Sequence, residues 1–338
     1  MSNPNAEISP ALLFNTINAY QRTATIKAAI EFDLFTLISE GSDTAQALAA
    51  RCDASERGMR TLCDYLVVCG FLTKRDSRYE LTPESSVFLN RNSPAYVGGI
   101  TEFLLSPMLI DGFKDVAAIV RKGGTVMPEE GALAPEHPVW MQFARAMAPL
   151  MIMPAQRMAQ LVGSPPNRKL KVLDIAAGHG MFGITLAQRY KNAEVVAVDW
   201  PNVLEVAKEN AQRARVSDRH RTIAGSAFDV DYGSDYDLVL LTNFLHHFDP
   251  ETCVKLLKKV HAALAKGGRA FTLEFVPDED RVSPPEAAMF SLMMLGSTPG
   301  GDAYTFSELE RMFSSAGFSH SELHALLPSP SSVVISDK

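Results

Sequence analysis

Val172-Leu173-Asp174-Ile175-Ala176-Ala177-Gly178-His179-Gly180 is the stretch on which the fold turns. An apolar run ends abruptly in small residues and two glycines, and an amphipathic segment, Met181–Tyr190, follows. That is a buried strand, a tight turn and a helix. Small residues in such a turn let the backbone approach a ligand at the helix N-terminus. Downstream, apolar runs alternate with amphipathic stretches. Lys171–Ile175, Glu194–Asp199, Arg221–Ala224, Tyr236–Thr242 and Arg269–Phe275 read as strands. Val203–Arg215 and Pro250–Leu264 read as helices between them. Buried strands separated by helices predict an α/β, doubly wound, Rossmann-like parallel sheet over 169–338. The long stretch Pro277–Tyr304 precedes a last helix, Ser307–Ala316, and a terminal strand, Ser332–Ser336.

The chain before this core is helical. Leu13, Ile17, Tyr20 and Ala24 recur at helical spacing, and Ile26, Ile30, Leu34 and Leu37 continue in a second stretch, with Gly41 as its C-cap. Two short helices follow, Thr44–Arg51 and Ser55–Cys69, the second capped by Ser55 and apolar at Met59, Leu62, Leu66 and Cys69. Phe71–Lys74 and Tyr79–Thr82 flank a polar turn as a hairpin. Helix, helix, hairpin is a winged-helix order, so a DNA-binding regulator enters the comparison. The candidate recognition helix, however, mixes Glu56 and Asp64 with its arginines and spends its surface on burial rather than on a basic face. Residues 1–95 therefore read as a winged-helix-like dimerisation domain. Residues 96–338 read as the catalytic domain, with a helical lead-in over 96–168. Within that lead-in, Lys122–Pro138 reads as a loop, and a helix from Val139 carries methionines at 141, 147, 151, 153 and 158. Such a stripe fills a core or lines an adaptable apolar pocket.

Composition narrows the classes further. The 338 residues are 46% hydrophobic and 21% charged, with a net charge of −7. These values exclude a disordered or collagen-like chain and argue against nucleic acid as partner. No apolar run has the ~18 residues of a spanning helix, and the N-terminus shows no signal-peptide pattern, so a cytoplasmic protein without membrane attachment is expected. Cys52, Cys63, Cys69 and Cys253 form no C-x-x-C pair, which points to buried, reduced thiols and no metal site.

Gly178-His179-Gly180-Met181-Phe182-Gly183 matches G-x-G-x-x-G, and Asp199 ends the second strand where an acid can bind a ribose diol. Both features suit NAD and S-adenosylmethionine. Two others separate them. Asp174 and two alanines precede the glycines, and an acid that early can meet the cationic amino-acid end of S-adenosylmethionine. Ala265-Lys266-Gly267-Gly268 forms a turn before the fifth strand, a joint common in methyltransferases.

With these motifs assembled, the chain resembles the small-molecule S-adenosylmethionine-dependent O-methyltransferases, of the plant caffeate and isoflavone type and their bacterial antibiotic-tailoring homologues. Ile26-Lys27-Ala28-Ala29-Ile30-Glu31-Phe32-Asp33-Leu34-Phe35 is similar to the family's dimerisation segment. Val198-Asp199-Trp200-Pro201 resembles its ribose-binding turn, and Leu245-His246-His247-Phe248 stands at its catalytic L-H-D-W-type motif. Thr298-Pro299-Gly300-Gly301-Asp302-Ala303-Tyr304-Thr305 resembles its N-P-G-G-K-E-R-T segment. The departures are specific. Ala176 and Ala177 replace glycines, Gly225-Ser226-Ala227-Phe228 replaces G-D-M-F, Thr242 replaces a lysine of the plant enzymes, and Ala303 replaces the second of two glutamates flanking the histidine.

The resemblance implies an S-adenosylmethionine site built from Asp174, Ala176, Gly178, Gly180, Asp199, Trp200, Ser226, Ala227, Phe228 and Thr242. It implies a homodimer, a small-molecule acceptor, and His246 as general base with Glu274 holding the imidazole. Met147, Met294 and Tyr304 are the expected acceptor contacts. Histidine, ordinarily near 6.5, suits removal of a phenolic proton, and in-line alignment supplies the rest. Spacing alone reads His246-His247 equally as a helix-capping pair beside a buried acid. Other chemistry on the same cofactor (C- or N-methylation, decarboxylation or pericyclic rearrangement) is the alternative within the fold.

Overall fold

The computed structural model describes residues 8–127, 138–163, 165 and 167–338, so most of the expected Lys122–Pro138 loop lies outside the described residues. Two compact units divide the chain, Met1–Thr101 and Glu102–Lys338.

In the first unit the apolar positions form helices Ala11–Ile17, Ala19–Glu31 and Leu34–Ser39. The second expected run is interrupted at Asp33, whose φ of 53° ends one helix and whose carboxylate accepts from the Thr36 hydroxyl in the next. Gly41, at φ 96°, closes the third helix, its N–H reaching the Ile38 carbonyl and the Ser42 N–H that of Leu37. Thr44 and Ser55 cap helices Ala45–Arg51 and Glu56–Val68 by accepting from the Ala47 and Gly58 N–H groups. The buried face of Glu56–Val68 is Met59, Cys63 and Leu66, packed with Leu34, Phe35, Leu48 and Tyr79. Strands β1 (Leu72–Arg75) and β2 (Arg78–Leu81) pair antiparallel across Asp76-Ser77, both at positive φ, the geometry of a tight hairpin turn. One face of the first two helices stays uncovered in the single chain: Leu12, Leu13, Phe14, Ile17 and Tyr20 are all exposed. Cys63 is buried, while Cys52 and Cys69 are only partly so, a correction to the four buried thiols expected.

The second unit holds a seven-stranded sheet. Its strands are β3 (Lys169–Ile175), β4 (Asn192–Asp199), β5 (His220–Ala224), β6 (Tyr236–Thr242), β7 (Leu264–Glu274), β8 (His320–Ala325) and β9 (Ser332–Asp337). Their order is β5-β4-β3-β6-β7-β9-β8, parallel throughout except β9, which runs antiparallel to both neighbours. An all-parallel dinucleotide sheet has no such reversed strand. Helices Pro138–Leu161 and Met181–Arg189 bury Met158, Phe182 and Ile184 against Val172 and Leu240 on one face. Helices Pro250–Ala263 and Phe306–Ser315 bury Leu256, Leu257, Leu309 and Phe313 against Val239 and Leu241 on the other. Because consecutive strand residues alternate faces, Leu240 and Leu241 belong to different cores.

Three details differ from the sequence reading. Strand β7 starts at Leu264, so Ala265–Gly268 is an irregularity inside it, where pairing jumps from Tyr236↔Leu264 to Leu238↔Arg269. Strand β8 is an unread edge, and a helix, Pro285–Ser297, occupies the stretch left without structure. Among the described residues no helix is long and apolar enough to cross a membrane.

Candidate active site

The carboxyl ends of β3, β4 and β6 open on a cavity of about 430 Å³. After β3 the chain turns through Ala176, Gly178 and Gly180, at φ 53°, 57° and 73°. Ala176 holds a left-handed conformation that costs an L-residue energy and costs a glycine little. The third glycine of the motif works differently. A Cβ on Gly183 would lie 2.7 Å from Val195 Cγ1 and 2.9 Å from Asp174 Oδ2, so Gly183 permits the helix to seat on the sheet.

Asp174 is fully buried behind the turn. Its Oδ2 accepts from the Gly183 N–H at 3.1 Å, and its Oδ1 has no hydrogen-bond partner among the described residues. Burial pushes its carboxyl up to about 8. It is absent from the cavity wall, as is Gly180. The expected contact of Asp174 with a cationic ligand end is therefore corrected: this acid pins the helix to the strand. Asp199 does face the cavity. Its Oδ2 accepts from the Gly178 N–H at 2.8 Å and its Oδ1 from the Trp200 N–H at 2.7 Å, while burial raises its carboxyl to about 6. Ala176, Trp200, Ser226, Ala227, Phe228 and Thr242 share that wall. A carboxylate absent from position 226 returns to the wall as Asp229.

Beyond β6 the chain makes a strained turn, with Asn243 at φ 54° and its N–H bonded to the Leu273 carbonyl on β7. Glu274, at the end of β7 and 2% exposed, gathers that turn. Its Oε1 accepts from the Phe244 and Leu245 N–H groups at 3.0 and 2.8 Å, and its Oε2 lies 2.5 Å from His246 Nδ1. Gly301 abuts the same turn, and a Cβ there would run into the His246 carbonyl. The His246 ring meets Phe290 edge-on at 4.8 Å, and Phe290 stacks on Phe275 at 4.2 Å. The His247 ring touches that of His246, 4.3 Å between centroids, yet only His247 is on the cavity wall. It lines the cavity against Trp140, 5.3 Å between rings, and burial, followed by the neighbouring His246, holds it well below the usual histidine range. Ala303 is wholly buried, and Asp302 is paired with Arg281 at 3.2 Å, so Glu274 is the acid on the imidazole.

Met147, Met294 and Tyr304 are not on this wall. Tyr304 is a core residue whose hydroxyl donates to the Phe248 carbonyl at 2.5 Å, which corrects its expected place in an open cleft. Met294 is likewise buried, one turn beyond Phe290 on the same helix. The sequence reading missed Trp140, Phe143, His179, Phe182, Asn243 and Asp229 as wall residues. Trp140 and Phe143, on helix Pro138–Leu161, stand more than 30 positions before the glycine turn, and only tertiary packing brings them there.

A glycine turn bonded to the acid that ends β4, a reversed strand beside β7 and a histidine–carboxylate pair at the sheet edge are features of a methyltransferase. The O-methyltransferase domain profile matches residues 133–319, and the O-methyltransferase dimerisation domain matches residues 14–91. The chain belongs to the O-methyltransferase family, and is S-adenosylmethionine-dependent. It is 28% identical over 325 residues to the 3-hydroxy-5-methyl-1-naphthoate 3-O-methyltransferase of Streptomyces sahachiroi, covering 94% of this chain and 91% of that one. It is 25% identical over 315 residues to the tetracenomycin polyketide synthesis 8-O-methyl transferase of Streptomyces glaucescens, covering 91% of each. The crystal structure of a candidate O-methyltransferase from Nostoc punctiforme PCC 73102 superposes with a TM-score of 0.94 at 58% identity, covering 98% of this chain and 100% of that one.

The residues present fit this cofactor: an acid, Asp199, at the end of β4, small residues at the turn, and aromatic walls in Phe228 and Phe248. If Asp199 receives the ribose, as the sequence reading expects, a pH dependence follows. Ribose hydroxyls donate hydrogen bonds, which favour the ionised carboxylate, so binding releases a proton wherever the free protein holds Asp199 protonated. Affinity for S-adenosylmethionine is expected to rise as pH increases toward about 6, by up to ~10-fold per unit, and to level off above it. Calorimetry in two buffers of different ionisation enthalpy measures the released proton at pH 5.5. Affinity that falls over this interval would contradict the assignment.

Proposed function

We propose that this chain methylates a hydroxyl of a small, planar aromatic acceptor, with His246 as general base and Glu274 as its orienting acid. The observation that carries the reading is the 2.5 Å contact between His246 Nδ1 and Glu274 Oε2. A carboxylate accepting from Nδ1–H fixes the tautomer whose Nε2 lone pair is free for a proton. Two backbone N–H groups on Oε1 fix the carboxylate in turn. When bound, S-adenosylmethionine supplies an electrophilic methyl group on a sulfonium, a good leaving group. The chain's tasks are then alignment and deprotonation. Asp199 would hold the ribose, the backbone of Gly178 the turn around it, and Ser226, Ala227 and Phe228 the adenine side. The stacked Phe275–Phe290 pair beside His246 supports a flat aromatic acceptor. The naphthoate and tetracenomycin named for the two Streptomyces relatives agree with that class. The test is mass spectrometry after incubation with deuteromethyl-labelled cofactor and a panel of hydroxylated naphthoates and anthracyclic polyketides. Label recovered as an aryl methyl ether supports the reading, and label only on carbon or nitrogen overturns it.

The same reading includes a homodimer. The exposed face of Leu12, Leu13, Phe14, Ile17 and Tyr20 lies within or beside the matched dimerisation domain, and a second copy across a two-fold axis would cover it. Light scattering after size exclusion is expected to give about twice 36.9 kDa. The mass of a single chain at micromolar concentration would contradict this.

A further inference from the structure

S-adenosylmethionine brings a carboxylate into a cavity whose described wall carries Asp199 and Asp229 and no lysine or arginine. Among these wall residues, only neutral donors can meet a ligand carboxylate. His179 is the candidate. It sits between the two glycines of the turn, on the cavity wall, and is only 5% exposed. Its Nδ1 accepts the Met181 backbone N–H at 3.1 Å, so that nitrogen carries no proton and Nε2 must. Among the described residues nothing accepts from that Nε2–H. The residue is also held from behind, because Asn210 Nδ2 donates to the His179 carbonyl at 2.9 Å and the ring lies 5.9 Å from that of Phe182. Burial lowers its pKa to about 4, which keeps this tautomer neutral across the physiological range.

We propose that His179, as a neutral Nε2–H donor, binds the carboxylate of the methionine moiety of S-adenosylmethionine. This rests on reading the cavity as the cofactor site and adds the group that selects its amino-acid end. A donor buried beside an apolar ring gains more from a charged acceptor than one in water. The donor also replaces the arginine or lysine that an anion subsite ordinarily uses.

The experiment measures equilibrium binding of two ligands that differ only in the amino-acid part: S-adenosylhomocysteine and 5′-methylthioadenosine. His179→Asn preserves an acceptor for the Met181 N–H and withdraws the far donor. It is expected to weaken S-adenosylhomocysteine by roughly 10–100-fold and to leave methylthioadenosine within about twofold. His179→Gln, which reaches further with an amide N–H, should restore much of the loss. Equal weakening of both ligands would overturn the assignment, because the ring would then support the turn or touch the nucleoside. Unchanged binding of both would overturn it as well. If the wild-type chain binds neither ligand, the cofactor reading itself falls and the proposal with it. Methylthioadenosine binding by the variants reports that they are folded.

Discussion

Changing His246 to alanine is expected to slow methyl transfer by roughly 10²–10⁴-fold, equivalent to about 3–5 kcal/mol of transition-state stabilisation, while S-adenosylmethionine affinity stays within about twofold. The two halves of that expectation have separate origins. His246 is bonded at Nδ1 to Glu274 and stands against Phe290, outside the cofactor cavity wall, so its removal takes away a proton acceptor and no cofactor contact. His247 supplies the contrast. It lines that wall, has no carboxylate partner, and carries an Nδ1 without a hydrogen-bond partner among the described residues. His247→Ala should therefore change ligand affinity more than turnover and keep the rate within about tenfold. Reversal of the two phenotypes would transfer the base assignment to His247.

Glu274 is expected to give two different defects depending on its replacement. Glu274→Ala leaves the Phe244 and Leu245 N–H groups and the imidazole without an acceptor in a buried site. Each unpaired buried group costs about 1–3 kcal/mol, so with three of them a loss of roughly 3–9 kcal/mol of stability is expected. Calorimetric unfolding should show it as a fall of roughly 5–15 °C in Tm. Glu274→Gln keeps an acceptor for the backbone and turns an amide N–H toward Nδ1. That donor demands a lone pair on Nδ1, which moves the imidazole proton to Nε2, where a base must be empty. The Gln variant should lose about as much rate as His246→Ala with little change in Tm. Full activity in a folded Gln variant would show that the acid does not set the tautomer.

Elements with a clear period were legible in the sequence. Strands β3 and β6 are mostly apolar because both of their faces are covered over most of their length, and Ser55 and Gly41 announced helix ends through their own backbone chemistry. Strand β8 was not legible, because His320-Ser321-Glu322-Leu323-His324-Ala325 is a mostly exposed polar edge with little apolar alternation. Helix Pro285–Ser297 fails in the opposite way, being apolar nearly all round and hence without a face to read. At the site, the pairing of His246 with Glu274 was legible because both stand at strand ends on one sheet edge, and the two side chains are in contact. Asp174 was misjudged, since nothing in a linear motif tells an acid aimed at a ligand from one aimed at its own helix. Tyr304 was misjudged for a related reason: whether a phenol is free depends on a carbonyl, that of Phe248, 56 residues away.

The most direct measurement of the proposed chemistry is single-turnover methyl transfer, at saturating cofactor, to phenolic acceptors of graded acidity, for the wild-type chain and His246→Ala. If His246 is the base, the variant's deficit should be full, roughly 10²–10⁴-fold, for ordinary phenols protonated at the assay pH. It should shrink toward nothing for acidic phenols that arrive already ionised. A deficit of the same size across the whole series, or none for the ordinary phenols, would contradict His246 as the group that takes the proton.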